Sequence, residues 1–239
     1  MDLPFTGEYF VQGKTSKRIQ EDTEARYRFA QDYVRGKDVL EIACGTGFGT
    51  DFLKKAGARS VTGGDISEEA LAYARSHYAA DGITFIGAHI EALTFTKQFD
   101  VIICFETIEH VPRYRDALAG LFRALRPGGV LLLTTPNRTI TSPRIRSMHI
   151  PIPSSFHTQE FTPDEMRTLL VQTDFSEGSL RLFGQRQQPK IPMRALRFLY
   201  KKLFDPGHRT SPKFESLRRF LQPRIFLYVA EKPHASLRG

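Results

Sequence analysis

Glu106, Glu109 and His110, in the run CFETIEHVP, stand at i, i+3 and i+4. A helical turn there would bring two carboxylates and an imidazole onto one face. Such a face can position or deprotonate a hydroxyl, or bind a hard divalent ion. A further imidazole, His157, lies in SSFHTQEFTPDE. Towards the amino end, Gly45, Gly47 and Gly49 occur at every second position after a short apolar run, Val39, Leu40, Ile42 and Ala43, broken by Glu41. Glycines permit positive φ and let a ligand approach the backbone closely, and Phe48 to Lys55 reads as a helix whose amino end faces that loop. The pattern predicts a strand running into a nucleotide-cofactor loop. Asp65, in VTGGDIS, ends the next strand. A carboxylate there can accept hydrogen bonds from both hydroxyls of a ribose, although a strand-end Asp also serves as a helix cap.

The spacing G-x-G-x-G differs from the G-x-G-x-x-G of dinucleotide folds. With Glu41 four positions before the first glycine, it resembles motif I of the class I S-adenosylmethionine-dependent methyltransferases, and Asp65 resembles motif II. Ala43 stands where that family often has its first glycine. Arg126-Pro-Gly-Gly and Thr135-Pro-Asn extend the resemblance over about residues 36–173. It implies S-adenosylmethionine as cofactor, with Glu41, Ala43, Gly45, Gly47, Asp65 and Ile66 in its site. His89 replaces the family's usual Asp, which meets the adenine amino group; a neutral imidazole can accept from that group, with Ile90 as an apolar wall. Glu106 would cradle the methionine end. The E-x-x-E-H set is similar to that of ubiquinone-pathway O-methyltransferases and small-RNA 2′-O-methyltransferases, where it accompanies a Mg2+-type metal. The implied metal ligands are Glu106, Glu109, His110 and His157. Without a metal, His110, His157 and Glu106 are the catalytic candidates, and purely structural duty is the remaining alternative.

These residues need a frame to hold them at one edge. Strands are predicted at 39–43, 60–66, 83–89, 99–105 and 129–135, alternating with helices at 48–55, 68–78 and 116–125. Ser67 caps the second of these helices, and Arg126-Pro-Gly-Gly stops the third. Thr162, Pro163, Asp164 and Glu165 open a further helix to Gln172. Alternation at this pitch predicts an α/β, Rossmann-like sheet, parallel and wrapped on both faces. The resemblance makes it the seven-stranded methyltransferase fold, ending in strands at 180–184 and 224–230, one of the seven antiparallel. Residues 1–35 read as an arm with lid helices, in which Tyr9, Arg18 and Tyr27 either line the site or pack. Residues 36–239 read as the catalytic domain, with an insertion at about 185–223 roofing the acceptor. Within it, residues 192–204 form a basic amphipathic helix, a lid or a membrane-surface element.

Of the 239 residues, 41% are hydrophobic, ample for a core. No purely apolar run comes near the ~20 residues that span a bilayer. No secretory signal is expected, and two cysteines, Cys44 and Cys104, suit a reduced, cytoplasmic protein as small buried residues. The net charge of +8 is uneven. Residues 181–239 hold 14 Lys and Arg against 3 acids, a net +11; the remainder holds 20 against 23, a net −3. That asymmetry suggests an anionic acceptor, nucleic acid or a membrane surface, or no more than a solvated basic face. The first expectation is O-methylation of a small metabolite, sugar or natural product. RNA 2′-O-methylation and membrane-associated quinone-type O-methylation are the alternatives. A nicotinamide oxidoreductase explains neither Glu41 nor the Pro-Gly-Gly turn, and a decayed binding module is at odds with intact Glu41, Gly45, Gly47 and Asp65.

Overall fold

The short apolar runs become strands because both of their faces are covered. In the computed structural model, which describes residues 15–152, 156–189 and 221–234, they form β1 (Asp38–Ile42), β2 (Ser60–Asp65), β3 (Ile83–Gly87), β4 (Phe99–Phe105) and β5 (Leu125–Pro136). Two more, β6 (Arg181–Pro189) and β7 (Leu221–Glu231), complete a seven-stranded sheet of order 3-2-1-4-5-7-6. β1 to β5 pair in parallel, while β7 runs antiparallel to both β5 and β6.

Successive side chains of a strand point to opposite faces, which splits the core in two. Leu40, Ile102, Leu131 and Phe226 pack on one face against Leu118 and Leu121 of α4 (Tyr114–Ala124) and Met166 and Leu170 of α6 (Pro163–Gln172). Val39, Val101, Ile103 and Leu132 pack on the other against Ala30 and Val34 of α1 (Lys17–Val34) and Leu53 of α2 (Phe48–Lys55). Truncating a fully buried residue such as Leu118 to Ala would cost about 2–5 kcal/mol. α3 (Glu68–Tyr78) is capped by Ser67, whose side chain accepts from the Ala70 amide. Thr162 and Glu165 form a reciprocal capping box on α6, and α5 (Arg138–Thr141) is a single turn after β5. No helix among the described residues is long and apolar enough to cross a membrane.

The strand order reverses between β1 and β4, so their carboxyl ends diverge and leave a crevice, the usual ligand position in open α/β sheets. Three boundaries differ from the sequence reading. β3 stops at Gly87 rather than His89, because His89 caps a 3-10 turn, Ile90–Ala92, by accepting from the Glu91 amide. The Pro-Gly-Gly stop lies inside β5: Leu125 already pairs with Phe99, and a register shift with Gly128 at φ +74° absorbs the turn. β6 and β7 extend well past the expected 180–184 and 224–230. The arm at 1–14, with Tyr9, and the basic helix at 192–204 lie outside the described residues.

Candidate functional site

The loop after β1 bends through three left-handed residues, Ala43 (φ +58°), Gly45 (+53°) and Gly47 (+86°). Ala43 carries a Cβ where glycine is at ease, which costs about 1 kcal/mol and persists because the Cys44 amide is anchored to the Gly64 carbonyl. Gly47 caps α2, and a Cβ there would stand 2.8 Å from Ala74 Cβ. Gly49 is tighter still: a Cβ would meet Glu41 Oε1 and the Tyr27 hydroxyl at 2.1 Å. These two glycines therefore serve internal packing as well as the loop's open face.

Glu41, expected at the cofactor, does not line the cleft. It is buried, its Oε1 accepts from the Tyr27 hydroxyl and its Oε2 from Thr50 Oγ1 at 2.5 Å. Burial raises its carboxyl to about 7 against the pull of those two hydrogen bonds, with Asp65's charge adding to the rise. Burial and the neighbouring Glu41 push the Tyr27 phenol well above its ordinary value. The acidic residue of the glycine motif is thus a buried brace joining α1, β1 and α2. Arg18 lines the cleft, and Tyr27 both borders it and packs against Phe48, Phe52 and Phe105, so both readings of the arm meet in Tyr27.

Asp65 does line it, with each oxygen already holding one backbone amide: Oδ2 accepts from Gly45 N at 2.7 Å and Oδ1 from Ser67 N at 2.9 Å. Each oxygen keeps a further lone pair for a hydroxyl. Ile66, a large apolar side chain left 74% exposed, and Ile90, nearly buried, border the same space. His89 also lines it. Its Nδ1 accepts from the Glu91 amide at 3.3 Å, so the neutral ring presents Nε2–H, a donor. It is therefore arranged to meet a ring nitrogen; the amino group that the sequence reading gave it to accept from would need the other tautomer.

Past β4 the helical face foreseen for Glu106, Glu109 and His110 does not form. Glu106 is left-handed at φ +48° and Thr107 is irregular, so only Ile108–His110 makes a single 3-10 turn. The Glu106 amide is held by both the carbonyl and the hydroxyl of Thr134. Its Oε1 is buried without a hydrogen-bond partner among the described residues, and the side chain borders the cleft. A non-glycine φ of this kind with an orphaned carboxylate oxygen marks a place where a ligand is awaited. Glu109 turns inward instead, 1% exposed, accepting from Thr135 Oγ1 at 2.9 Å. Burial and then Glu106's charge raise its carboxyl well above the usual range.

A second segment is zipped to this turn. Glu109 O accepts from the amides of Thr158 and Gln159, and Gln159 Nε2 donates to the carbonyls of Ile108 and Val111. This brings the His110 and His157 rings edge to face at 5.0 Å. His110 Nδ1 donates to the Phe156 carbonyl at 2.7 Å, and His157 Nδ1 to Glu160 Oε1 at 2.8 Å. In both rings Nε2 then bears the lone pair. Glu160 also receives the Thr141 hydroxyl; hydrogen bonds from His157, Thr141 and Ser142 outweigh its burial and hold its carboxyl low. Sequence reading gave Glu160 no role, although His-x-x-Glu was the available signal.

The expected four-ligand metal set is not assembled. Glu109, His110 and His157 offer ligand atoms within 4.8 Å of one another, whereas Glu106 lies outside the group. The whole cleft measures about 2010 Å³ and contains Gly45, Asp65, His89, Glu106, His110 and His157 together. That space exceeds the ~300–1,000 Å³ of a typical small-ligand pocket, leaving room for two molecules side by side. A cationic adenosyl ligand fits the donor set: Asp65 for a ribose, Ile66 and Ile90 for a base, Glu106 Oε1 for positive charge.

Residues 40–133 match the family model described as a methyltransferase domain. A "Probable S-adenosylmethionine-dependent methyltransferase" of Mycolicibacterium smegmatis is 34% identical over 183 residues, 76% of this chain and 69% of that protein. A ubiquinone biosynthesis O-methyltransferase of Aromatoleum aromaticum is 40% identical over 107 residues, 43% of this chain and 45% of that one. The chain spans about half or less of that protein and of two Mycobacterium tuberculosis relatives. Among solved structures, an S-adenosylmethionine-dependent methyltransferase of Archaeoglobus fulgidus superposes with a TM-score of 0.63 at 18% identity, covering 89% of this chain and 94% of that one. The [4+2]-cyclase SpnF superposes with a TM-score of 0.61 at 16% identity, covering 95% and 87%. These low identities establish the fold alone, and a cyclase among them illustrates that one fold hosts more than one reaction.

Proposed function

The protein belongs to the class I S-adenosylmethionine-dependent methyltransferases, and from that premise we propose that it methylates a hydroxyl oxygen of a small-molecule acceptor, with His157 as the proton acceptor. Bound S-adenosylmethionine supplies a methyl group already activated by its positive sulfur. The chain's tasks are alignment and the removal of one proton. Asp65, its carboxylate oriented by Gly45 and Ser67, holds the ribose hydroxyls. Ile66 and Ile90 flank the base, His89 donates to it, and Glu106 Oε1 meets the positive end. His157 Nε2 takes the acceptor's hydroxyl proton, and Glu160 steadies the imidazolium that results. His110, held by the Phe156 carbonyl, orders the opposite side of that ring.

The observation that carries this reading is the His157–Glu160 pair on the cleft wall, a positioned base with its orienting carboxylate. An oxygen acceptor of high pKa needs such a base, whereas an amine need only arrive unprotonated. His157→Ala should abolish most turnover and spare cofactor affinity; full activity in that variant removes the base from the mechanism.

A second reading, a divalent cation, is favoured by the Glu109, His110 and His157 cluster. Two imidazoles suit a borderline transition metal better than Mg2+, which prefers oxygen. Turnover that persists after exhaustive chelation dismisses it. The RNA and membrane-quinone alternatives rest on the E-x-x-E-H resemblance and on the basic charge of residues 181–239, of which the amphipathic stretch at 192–204 lies outside the described residues. A cytoplasmic setting is part of the proposal, supported by two free, buried cysteines, Cys44 and Cys104.

A further inference from the structure

The cleft is lined by charges of both signs, with Asp22, Glu91 and Glu160 among them. Asp65 and Glu106 mark the rim of β2 and β4, whereas Arg18 and Arg26 come from α1, Arg144 from the loop after α5 and Arg224 from β7. Arg26 is the informative group. Its Nη1 donates to Gln185 Oε1 at 3.2 Å and its Nη2 to Thr23 Oγ1 at 3.1 Å, so two neutral oxygens fix the guanidinium plane. Its Nε is buried without an acceptor, and no ion pair neutralises it among the described residues. Asp22, the carboxylate on the same stripe of α1, accepts from Gln185 Nε2 on its backbone oxygen at 2.9 Å and on its Oδ1 at 3.4 Å. Arg144 is exposed in the cleft and likewise has no ion pair among the described residues. A cation held rigid by neutral partners, with one N–H unanswered, is costly in isolation and is completed by an anion.

We propose that the methyl acceptor carries an acidic group, a carboxylate or a phosphate monoester, which seats on Arg26 and Arg144 while its hydroxyl faces His157. The assignment rests on the methyl-transfer reading, because that reading decides which molecule fills the half of the cleft away from Asp65. A planar guanidinium binds either anion directionally, and Arg26 and Arg144 offer an acidic acceptor an opposite charge. A cationic cofactor on the arginine side and an anionic acceptor beside Asp65 and Glu106 would each meet like charge, so the same arrangement also orders the two molecules.

The test is calorimetric titration of the full chain, saturated with S-adenosylhomocysteine, by phenyl phosphate, benzoate and neutral phenol. At least one anion should bind saturably, with phenol weaker by about tenfold or more, the value of one charge-assisted contact. Arg26→Gln and Arg144→Gln should each weaken that anion about tenfold and leave S-adenosylhomocysteine affinity within about twofold. Arg144→Gln alters an exposed side chain, so it decides the matter even if Arg26→Gln does not fold. Failure of both anions to bind, phenol binding equally well, or an unchanged anion affinity in the variants overturns the proposal. So does weakened S-adenosylhomocysteine binding in the variants, which would assign the arginines to the cofactor's own carboxylate. His157→Ala separates this outcome from failure of the base: it should keep anion affinity whether or not turnover falls.

Discussion

The two halves of the cleft are built by different means. On the rim of β1 and β2, contacts lie within one strand-to-helix unit, as Asp65 to Ser67 and Thr50 to Glu41 do, or join two adjoining ones, as Gly45 to Asp65 does. On the rim of β4 and β5, the working groups come from segments more than 40 residues apart, 106–111 and 156–161, laced by backbone and Gln159 hydrogen bonds. The first half is a property of one supersecondary unit. The second exists only once the whole sheet has closed, so a substitution at His157 should disturb chemistry without disturbing the cofactor.

That contrast breaks first, if it breaks, at His157. His157→Ala should lower kcat about 10²- to 10⁴-fold while S-adenosylhomocysteine affinity by calorimetry stays within about twofold, and Glu160→Gln should give a smaller loss with a displaced pH–rate profile. Gly49→Ala tests the opposite half. Its methyl would stand 2.1 Å from two buried oxygens, so a loss of about 3 kcal/mol or more in urea-denaturation stability is expected, or failure to fold. Asp65→Ala should weaken cofactor binding by about 10- to 100-fold, as removal of a charge-assisted hydrogen-bond acceptor does, and leave kcat at saturation far less affected.

The pH dependence of stability sharpens the comparison further. Glu41 titrates near 7 in the folded chain, above its ordinary carboxylate range, so the folded state holds this proton more tightly than the unfolded one. Its contribution is fully present below the unfolded value and declines as pH rises to about 7, by an amount on the order of 3 kcal/mol at most. Denaturation midpoints between pH 5 and 8 should fall more steeply for the native chain than for Glu41→Gln. Chelation carries the smallest expected effect, a change in turnover below about twofold; a larger one would favour the cation at Glu109, His110 and His157.

What the sequence revealed follows the same division. The glycine loop, Asp65 and the capping of α3 and α6 were legible because each is decided within a few residues by glycine, Ser67 or the Thr162–Glu165 pair. The even alternation of elements was enough for the parallel sheet. Spacing misled at Glu106: its i, i+3, i+4 relation to Glu109 and His110 presumes a helix, and a left-handed backbone held by Thr134 intervenes. Glu41 was read as a ligand contact because a motif records position and not direction; the Tyr27 hydroxyl that claims it comes from 14 residues upstream. Glu160 went without a role because its partner's function appears only when His157 reaches the cleft.

One consequence follows from two neighbours on α1. Tyr27 braces the glycine loop through Glu41, and Arg26, the very next side chain back, borders the same cleft. A single rigid rod thus reports on both ligands at once. Any free energy by which an acidic acceptor steadied that rod would return, in equal amount, as tighter retention of the nucleoside.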